Sequence, residues 1–305
     1  MAEITVHLFG SFEVQRGEDG LADLPGGKVQ ELLCYLLLHR EQVQARETLA
    51  SVLWPDCTTV KSKKYLRQAL WQLQMTLDSV FEERKVNILT VDSGSICMDG
   101  RELVAVDVNM FEKACAQAKG LSGEQLDQAD AEGLRQAVQL YRGDLLEGWY
   151  QDWCLYERER LQSCYLSILG KLMSYCQRLH DYHHGLEYGE RILRLDRAYE
   201  YAHQQLMRLH YQSGNRTAAL RQYARCKAAL QEELDIQPSQ LTQELYEQIR
   251  TDQAEIPSQL PTNFVPEDPR PPKTLGHLNN LLQFVNKVEI QIRKEIQAVK
   301  QSSQA

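Results

Sequence analysis

Two stretches of this chain match each other at a fixed offset, and that offset limits the fold more than any other feature. LMSYCQRLHDYHHGLEYGERIL begins at Leu172 and LMRLHYQSGNRTAALRQYARCK begins at Leu206, a period of 34 residues. Leu172 and Leu206, Met173 and Met207, Gly185 and Ala219, and Leu186 and Leu220 fall in register. A polar turn divides each copy, at His180-Asp181 and at Gly214-Asn215. This length of helix, turn and helix is the tetratricopeptide period. One such unit cannot bury its apolar face alone, so neighbouring helices must stack on it, and AEGLRQAVQLYRG is the expected upstream neighbour. From VDVNMFEKA onward the pattern is helical almost without a break.

The first hundred residues behave differently, because their apolar period changes several times. ITVHLFGSFEVQ reads as two short strands around Gly10-Ser11. PGGKVQELLCYLLLHR starts a helix after a Pro-Gly-Gly turn, with Val29, Leu32, Leu33, Leu36 and Leu37 on one side. ARETLASVLWPD is a second, short helix that Pro55 stops. KSKKYLRQALWQLQMTL, Lys61 to Leu77, is the third. VNILTV and SICMDG flank Asp92-Ser93-Gly94, a hairpin signal. Strands, three helices and a closing hairpin are the order of a winged helix, in which the third helix enters the major groove.

On a 3.6-residue wheel Leu66, Leu70, Leu73 and Leu77 share one face of that third helix, with Ala69 beside them. The other face carries Lys61, Lys64, Gln68, Trp71, Gln72 and Met75, with Arg67 on its flank. Lysine and arginine near a helix start neutralise phosphates, and arginine and glutamine have the fork geometry for base edges. Charge argues the other way. Through Gly100 ten basic residues face fourteen acidic ones, a net charge of −4, and the whole chain carries −8. This argues against wholesale coating of nucleic acid but does not exclude one local basic face.

Other chemistry finds little support. The eight cysteines, Cys34, Cys57, Cys97, Cys115, Cys154, Cys164, Cys176 and Cys226, include no CxxC pair and read as buried free thiols of a reducing compartment. His180, His183 and His184 lie in a turn between helices, where polar residues are expected, so no metal is assigned. Asp144 and Glu147, with Glu157 and Glu159, read as carboxylates on solvated helix faces. Trp149, Tyr150 and Trp153 are expected to cap a core, with a partner-docking patch as the other reading. Gly26-Gly27-Lys28 lacks the spacing of a phosphate-binding loop, and no nucleophile elbow or dinucleotide fingerprint appears. The expectation is a non-enzyme without cofactors. LLCYLLL is too short to span a bilayer and the N-terminus lacks the plan of a signal peptide, so a cytoplasmic protein with no membrane partner is expected.

After the repeats, IPSQLPTNFVPEDPRPPK places six prolines among eighteen residues and reads as an extended linker. Leu278, Val285, Ile292 and Val299 then recur every seven residues, with Leu282, Val288 and Ile296 between them, as in a coiled-coil seam. A homodimer is the reading that follows; packing back on the same chain is the alternative.

Several stretches in order resemble the SARP-type transcriptional activators, which join an OmpR-type winged helix to a bacterial transcriptional activator domain of tetratricopeptide type. They are VHLFGSFEV, KVQELLCYLLLHR, RETLASVLWPD, LRQALWQLQMTL, VDVNMFEKA, YRGDLLEGWYQDWCLYERERLQ and ELDIQPSQLTQELYEQI, spanning roughly residues 3 to 250. The resemblance implies an activator that binds direct repeats in promoter double-stranded DNA and helps recruit RNA polymerase. Lys61, Lys63, Lys64, Arg67, Gln68, Trp71 and Gln72 are then the candidate contacts on the third helix, and Ser93 and Ser95 those in the hairpin. Relatives tend to place a late arginine where this chain has Gln74, so one phosphate contact is missing and dimerisation would have to compensate.

The expected fold is mainly α with a small β component. Residues 1–104 form a winged helix-turn-helix, 105–255 a tetratricopeptide-like domain, 256–273 a linker and 274–305 a coiled-coil helix. The rival reading of function is a protein-interaction scaffold whose winged helix does not bind DNA.

Overall fold

The structure, a computed structural model, describes residues 4–16, 19–20, 26–81, 88–98 and 103–252. The proline-rich stretch and the heptad seam from Leu278 to Val299 lie outside the described residues. The chain is mainly helical with small sheets, in the order the sequence leads one to expect. β1 (Ile4–His7) pairs antiparallel with β2 (Glu13–Arg16), which carries β3 (Asp19–Gly20). Ile4 and Val6 point into the core while Thr5 and His7 are half-exposed, the two-residue alternation of a half-buried strand.

Helix α1 (Lys28–Leu38) starts at Gly27, whose φ of 67° suits a glycine, and is buried almost all round. β4 (Gln44–Ala45) leads into α2 (Arg46–Leu53). Trp54, the residue before Pro55, leaves the helical region, as a residue preceding proline must. α3 (Thr59–Val80) follows, longer at both ends than its leucine ladder suggests. β5 (Leu89–Val91) and β6 (Ser95–Met98) form the expected hairpin, with Val91 opposite Ile96, and β4 joins them in the order β4-β6-β5. β7 (Val104–Val106) returns to pair parallel with β1, making a first sheet of order β3-β2-β1-β7.

The helical array comprises α4 (Asp107–Gln117), α5 (Gln128–Leu140), α6 (Asp152–Arg178), α7 (Tyr182–Leu195), α8 (Glu200–Gln212), α9 (Arg216–Leu234) and α10 (Gln240–Thr251). α6 with α7 and α8 with α9 are the two copies of the repeat, and α5 packs on α6 as the neighbour the sequence asked for. The turns match in detail. His180 and Gly214 occupy the same left-handed position, at φ 57° and 81°. The next residues, Asp181 and Asn215, cap the following helix by accepting from the backbone N–H of His184 and Ala218.

Small residues set how closely these helices pack. A Cβ on Gly189 of α7 would lie 2.5 Å from Leu206 Cδ2 and 2.8 Å from Met173 Cε. Gly133 on α5, by contrast, has nothing within 4 Å of that position. Gly189→Ala is therefore expected to destabilise the fold by roughly 1–2 kcal/mol, overpacking outweighing the gain in helix propensity. Gly133→Ala should stabilise it by up to about 1 kcal/mol. Urea unfolding of the two variants should give shifts of opposite sign.

A single core runs from Ile4 to Leu209 across strands and helices, with a smaller cluster where Met207 and Ala219 meet Leu245 and Ile249 of α10. Backbone bonds stitch the loop before α6 to the segment after β1. Gly10 N–H donates to Asp144 O (2.8 Å), Leu146 N–H to Leu8 O (2.8 Å) and Glu147 N–H to Gly10 O (2.9 Å). Arg158 holds the same loop by donating to the carbonyls of Leu145, Leu146 and Trp149.

Beside this seam Asp107, the first residue of α4, is buried with only 2% of its surface exposed. Its carboxylate accepts from the backbone N–H groups of Leu8 (2.9 and 3.0 Å), Phe9 (3.1 Å) and Val108 (2.7 Å). Burial pushes this carboxyl above its ordinary range, opposed by those N–H groups and by His7.

Candidate nucleic-acid interface

α3 divides into two faces as its periodicity requires. Leu66, Ala69, Leu70, Leu73 and Leu77 are buried against α1 and α2. Lys61, Lys64, Arg67 and Gln68 are exposed, Gln72 is half-buried, and Trp71 keeps 64% of its surface open. None of Lys61, Lys64, Arg67 and Gln68 makes an ion pair or side-chain hydrogen bond with another described residue. The helix therefore presents two lysines, an arginine and a glutamine along a rigid, leucine-backed ridge. Val60, Trp71 and Met75 add an exposed apolar strip to the same helix.

Lys63 is placed differently from its neighbours. Its Nζ lies 2.5 Å from Glu47 Oε1 of α2, and the Lys63 hydrogen bond and charge hold the Glu47 carboxyl below its usual range. The pair is exposed, so it trims the positive charge of the ridge without locking the fold. Glu47→Gln should release Lys63, tighten nonspecific duplex binding a few-fold at low salt and steepen the log–log salt slope by about 0.9. An unchanged slope in a fluorescence-anisotropy titration would mean that Lys63 does not meet phosphate.

The turn into α3 is pinned by Lys28, whose Nζ donates to Leu53 O (2.6 Å) and pairs with Glu31 Oε2 (2.8 Å). Tyr65 packs on Trp54, with ring centroids 6.2 Å apart.

The hairpin tip sits against the start of α2. Asp92 N–H donates to Ser95 O (2.9 Å), Arg46 Nη1 donates to Asp92 O (3.1 Å), and Arg46 N–H donates to Gly94 O (3.1 Å). Ser93 is exposed at the tip, while Ser95 is half-buried and pairs with Ala45 in the strand ladder. Arg46, a cation that also positions the wing, is a residue the sequence reading leaves without a role. Its partner is 46 residues away and no local pattern links them.

The remaining candidates resolve in other ways. Trp153 Nε1 donates to Glu31 Oε1 (3.0 Å), and its ring meets Tyr35 edge-on at 5.4 Å. With Trp149 at 6.4 Å it caps the core between α1 and α6, whereas Tyr150 stays 77% exposed. Glu157 corrects the sequence reading: it is buried, not solvated, and pairs with Arg160 (2.7 Å), which also binds Glu112 of α4. His184 Nδ1 meets Asp181 Oδ2 at 2.7 Å and His180 Nδ1 meets the Tyr182 hydroxyl at 2.9 Å. No group of three or more His, Cys, Asp or Glu able to hold a metal occurs among the described residues. All eight cysteines are free; Cys34, Cys154, Cys176 and Cys226 are buried as expected, while Cys57, Cys97, Cys115 and Cys164 are only half-buried. No helix among the described residues is long and apolar enough to cross a membrane.

Comparison with known proteins meets this geometry from two sides. The family described as "BTAD: Bacterial transcriptional activator domain" matches residues 106–250. Among solved structures, Mycobacterium tuberculosis EmbR in complex with a low-affinity phosphopeptide is similar in fold. The TM-score is 0.62 at 18% sequence identity, covering 85% of this chain and 67% of that one. No curated protein matches the chain. Residues 106–250 thus match a bacterial transcriptional activator domain, and they follow an N-terminal unit of strands, three helices and a hairpin.

Proposed function

We propose that the chain is a sequence-specific DNA-binding transcriptional activator that reads promoter direct repeats with α3 and helps recruit RNA polymerase. The observation that carries this reading is the ridge of Lys61, Lys64, Arg67 and Gln68, held clear of the body by the buried leucines behind it. Lysine ammonium groups neutralise phosphates without reading sequence, whereas the forks of Arg67, Gln68 and Gln72 suit purine edges in a major groove. Trp71 offers an apolar surface for thymine methyls, and the wing tip at Ser93 reaches towards the flanking backbone. Residues 1–104 serve as the DNA-binding unit and 105–255 as the unit for protein contacts or dimerisation, with RNA polymerase or a second copy as partner.

Footprinting across the DNA upstream of its own gene tests this. Protection of two or more equally spaced half-sites, lost steeply as salt rises, is the expected result. Absence of any protection at low salt would sink it in favour of the interaction scaffold. That rival draws on one observation: the Glu47–Lys63 pair lowers the charge of a face already set on an acidic unit.

A further inference from the structure

Helices α6 and α8 open the two copies of the repeat and lie side by side. Gln177 Nε2 donates to Gln212 Oε1 (3.1 Å), and the Cβ position of Gly170 is 3.8 Å from the Tyr201 ring. On α8, Tyr201, Gln205, Arg208 and Gln212 follow the helical spacing that sets residues in one stripe. One repeat earlier the same positions on α6 are Ser167, Lys171, Ser174 and Arg178. In a chain with 42 acidic and 34 basic residues, these neighbouring stripes hold Lys171, Arg178 and Arg208 and no carboxylate.

Two side chains of the α8 stripe lack partners. Arg208 is half-buried, its Nε is shut off from solvent, and its guanidinium makes no ion pair or hydrogen bond with another described residue. Burial pushes this guanidinium below its ordinary pKa, opposed by the Tyr201 hydroxyl. Arg158 and Arg160, also half-buried, find acceptors: backbone carbonyls for the first, Glu112 and Glu157 for the second. Glu200, the carboxylate nearest to Arg208 in sequence, is engaged by Ser239 and Thr242. Gln205, one turn from Arg208, is only 3% exposed, and its amide makes no hydrogen bond with another described residue. Shielded donors without acceptors cost stability, so an occupant accounts for this pair better than the fold does.

We propose that this face of the array receives an extended acidic segment of a partner protein, with Arg208 taking a carboxylate of that segment. A guanidinium fork meets a carboxylate through two parallel N–H···O bonds. The primary amide of Gln205 carries both donors and an acceptor, which suits the C=O and N–H of an extended main chain. Ser167, Gly170 and Ser174, small and half-buried, leave room on the α6 side. From Tyr201 to Gln212 the stripe is about 16 Å long. That is the span of about five extended residues, so a chain fits it better than a small anion. The inference rests on residues 105–255 being the protein-contact unit and gives that unit's partner a chemistry.

The probe is a fluorescein-labelled peptide of alternating glutamate and serine with blocked ends, titrated with the full chain by fluorescence anisotropy; a glutamine–serine peptide is the control. The glutamate peptide is expected to bind roughly tenfold tighter than the control. Arg208→Gln should lose that preference while keeping its thermal midpoint, because no internal partner is removed. Arg208→Lys should keep only part of it, with a point charge in place of a fork. The Lys64→Ala/Arg67→Ala double variant should take the peptide as the wild type does, which separates this face from the DNA-reading ridge. Equal binding of the two peptides, undiminished binding by Arg208→Gln, or displacement of the peptide by equimolar inorganic phosphate would overturn the proposal. A pull-down of purified RNA polymerase keeps the wider reading apart. Polymerase held by the chain while the peptides fail would strike out this face and leave the protein-contact unit standing. Polymerase not held while the glutamate preference persists would mean that the acidic partner is another protein.

Discussion

Replacing Lys64 and Arg67 together by alanine is expected to weaken binding to the cognate site by about a hundredfold, without lowering thermal stability. Both side chains are exposed on α3 and neither pairs with another described residue, so their removal leaves nothing buried and unsatisfied. An arginine fork on a base edge accounts for about 1–3 kcal/mol of discrimination, and each lost phosphate contact flattens the salt slope by about 0.9. The two effects separate in a titration over several salt concentrations. Lys64→Ala alone should weaken specific and random duplexes alike, whereas Arg67→Ala should penalise the specific site more. An unchanged affinity in the double variant, with the fold intact by circular dichroism, would remove this face as the reader.

Asp107→Ala should bring the largest loss of stability among single side-chain truncations at the junction, roughly 3–5 kcal/mol. The carboxylate is fully enclosed, and it satisfies the backbone N–H groups of Leu8 and Phe9 as well as Val108 at the start of α4. Alanine leaves those donors buried without acceptors, at about 1–3 kcal/mol for each unsatisfied group. Asp107→Asn retains one acceptor oxygen but turns an N–H₂ towards donors, so it should fall between alanine and the wild type. Urea midpoints of the three proteins should rank in that order. An alanine variant within about 1 kcal/mol of the wild type would show that relaxation or water replaces the carboxylate.

What the residues alone disclosed depended on distance along the chain. The leucine ladder of α3 was readable because a 3.6-residue period is a local signal, and its burial follows it position by position. The 34-residue repeat was readable for the same reason, down to the matched turns at His180 and Gly214. β4 and β7 were missed: at two and three residues they are too short to show a period, and they exist only because β6 and β1 offer them an edge. Glu157 looks like a solvated charge in sequence, and no local pattern marks Glu31 as buried. Their burial depends on Trp153, 122 residues from Glu31, and on Arg160 held between Glu112 and Glu157. On the candidate face, the identity of the cations was legible, but the diversion of Lys63 to Glu47 and the grip of Arg46 on the wing were not. Both arise where separate helices and strands meet.

The backbone seam between Leu8–Gly10 and Asp144–Glu147 has a mechanical corollary. Main-chain bonds, unlike side-chain contacts, cannot be retuned by a rotamer change, so the N-terminal strands and the loop that leads into α6 are coupled as one stiff piece. On the proposed function, a stimulus arriving at the array is expected to move that whole piece, changing how neighbouring copies are spaced along a duplex more than the angle at which any one copy grips it.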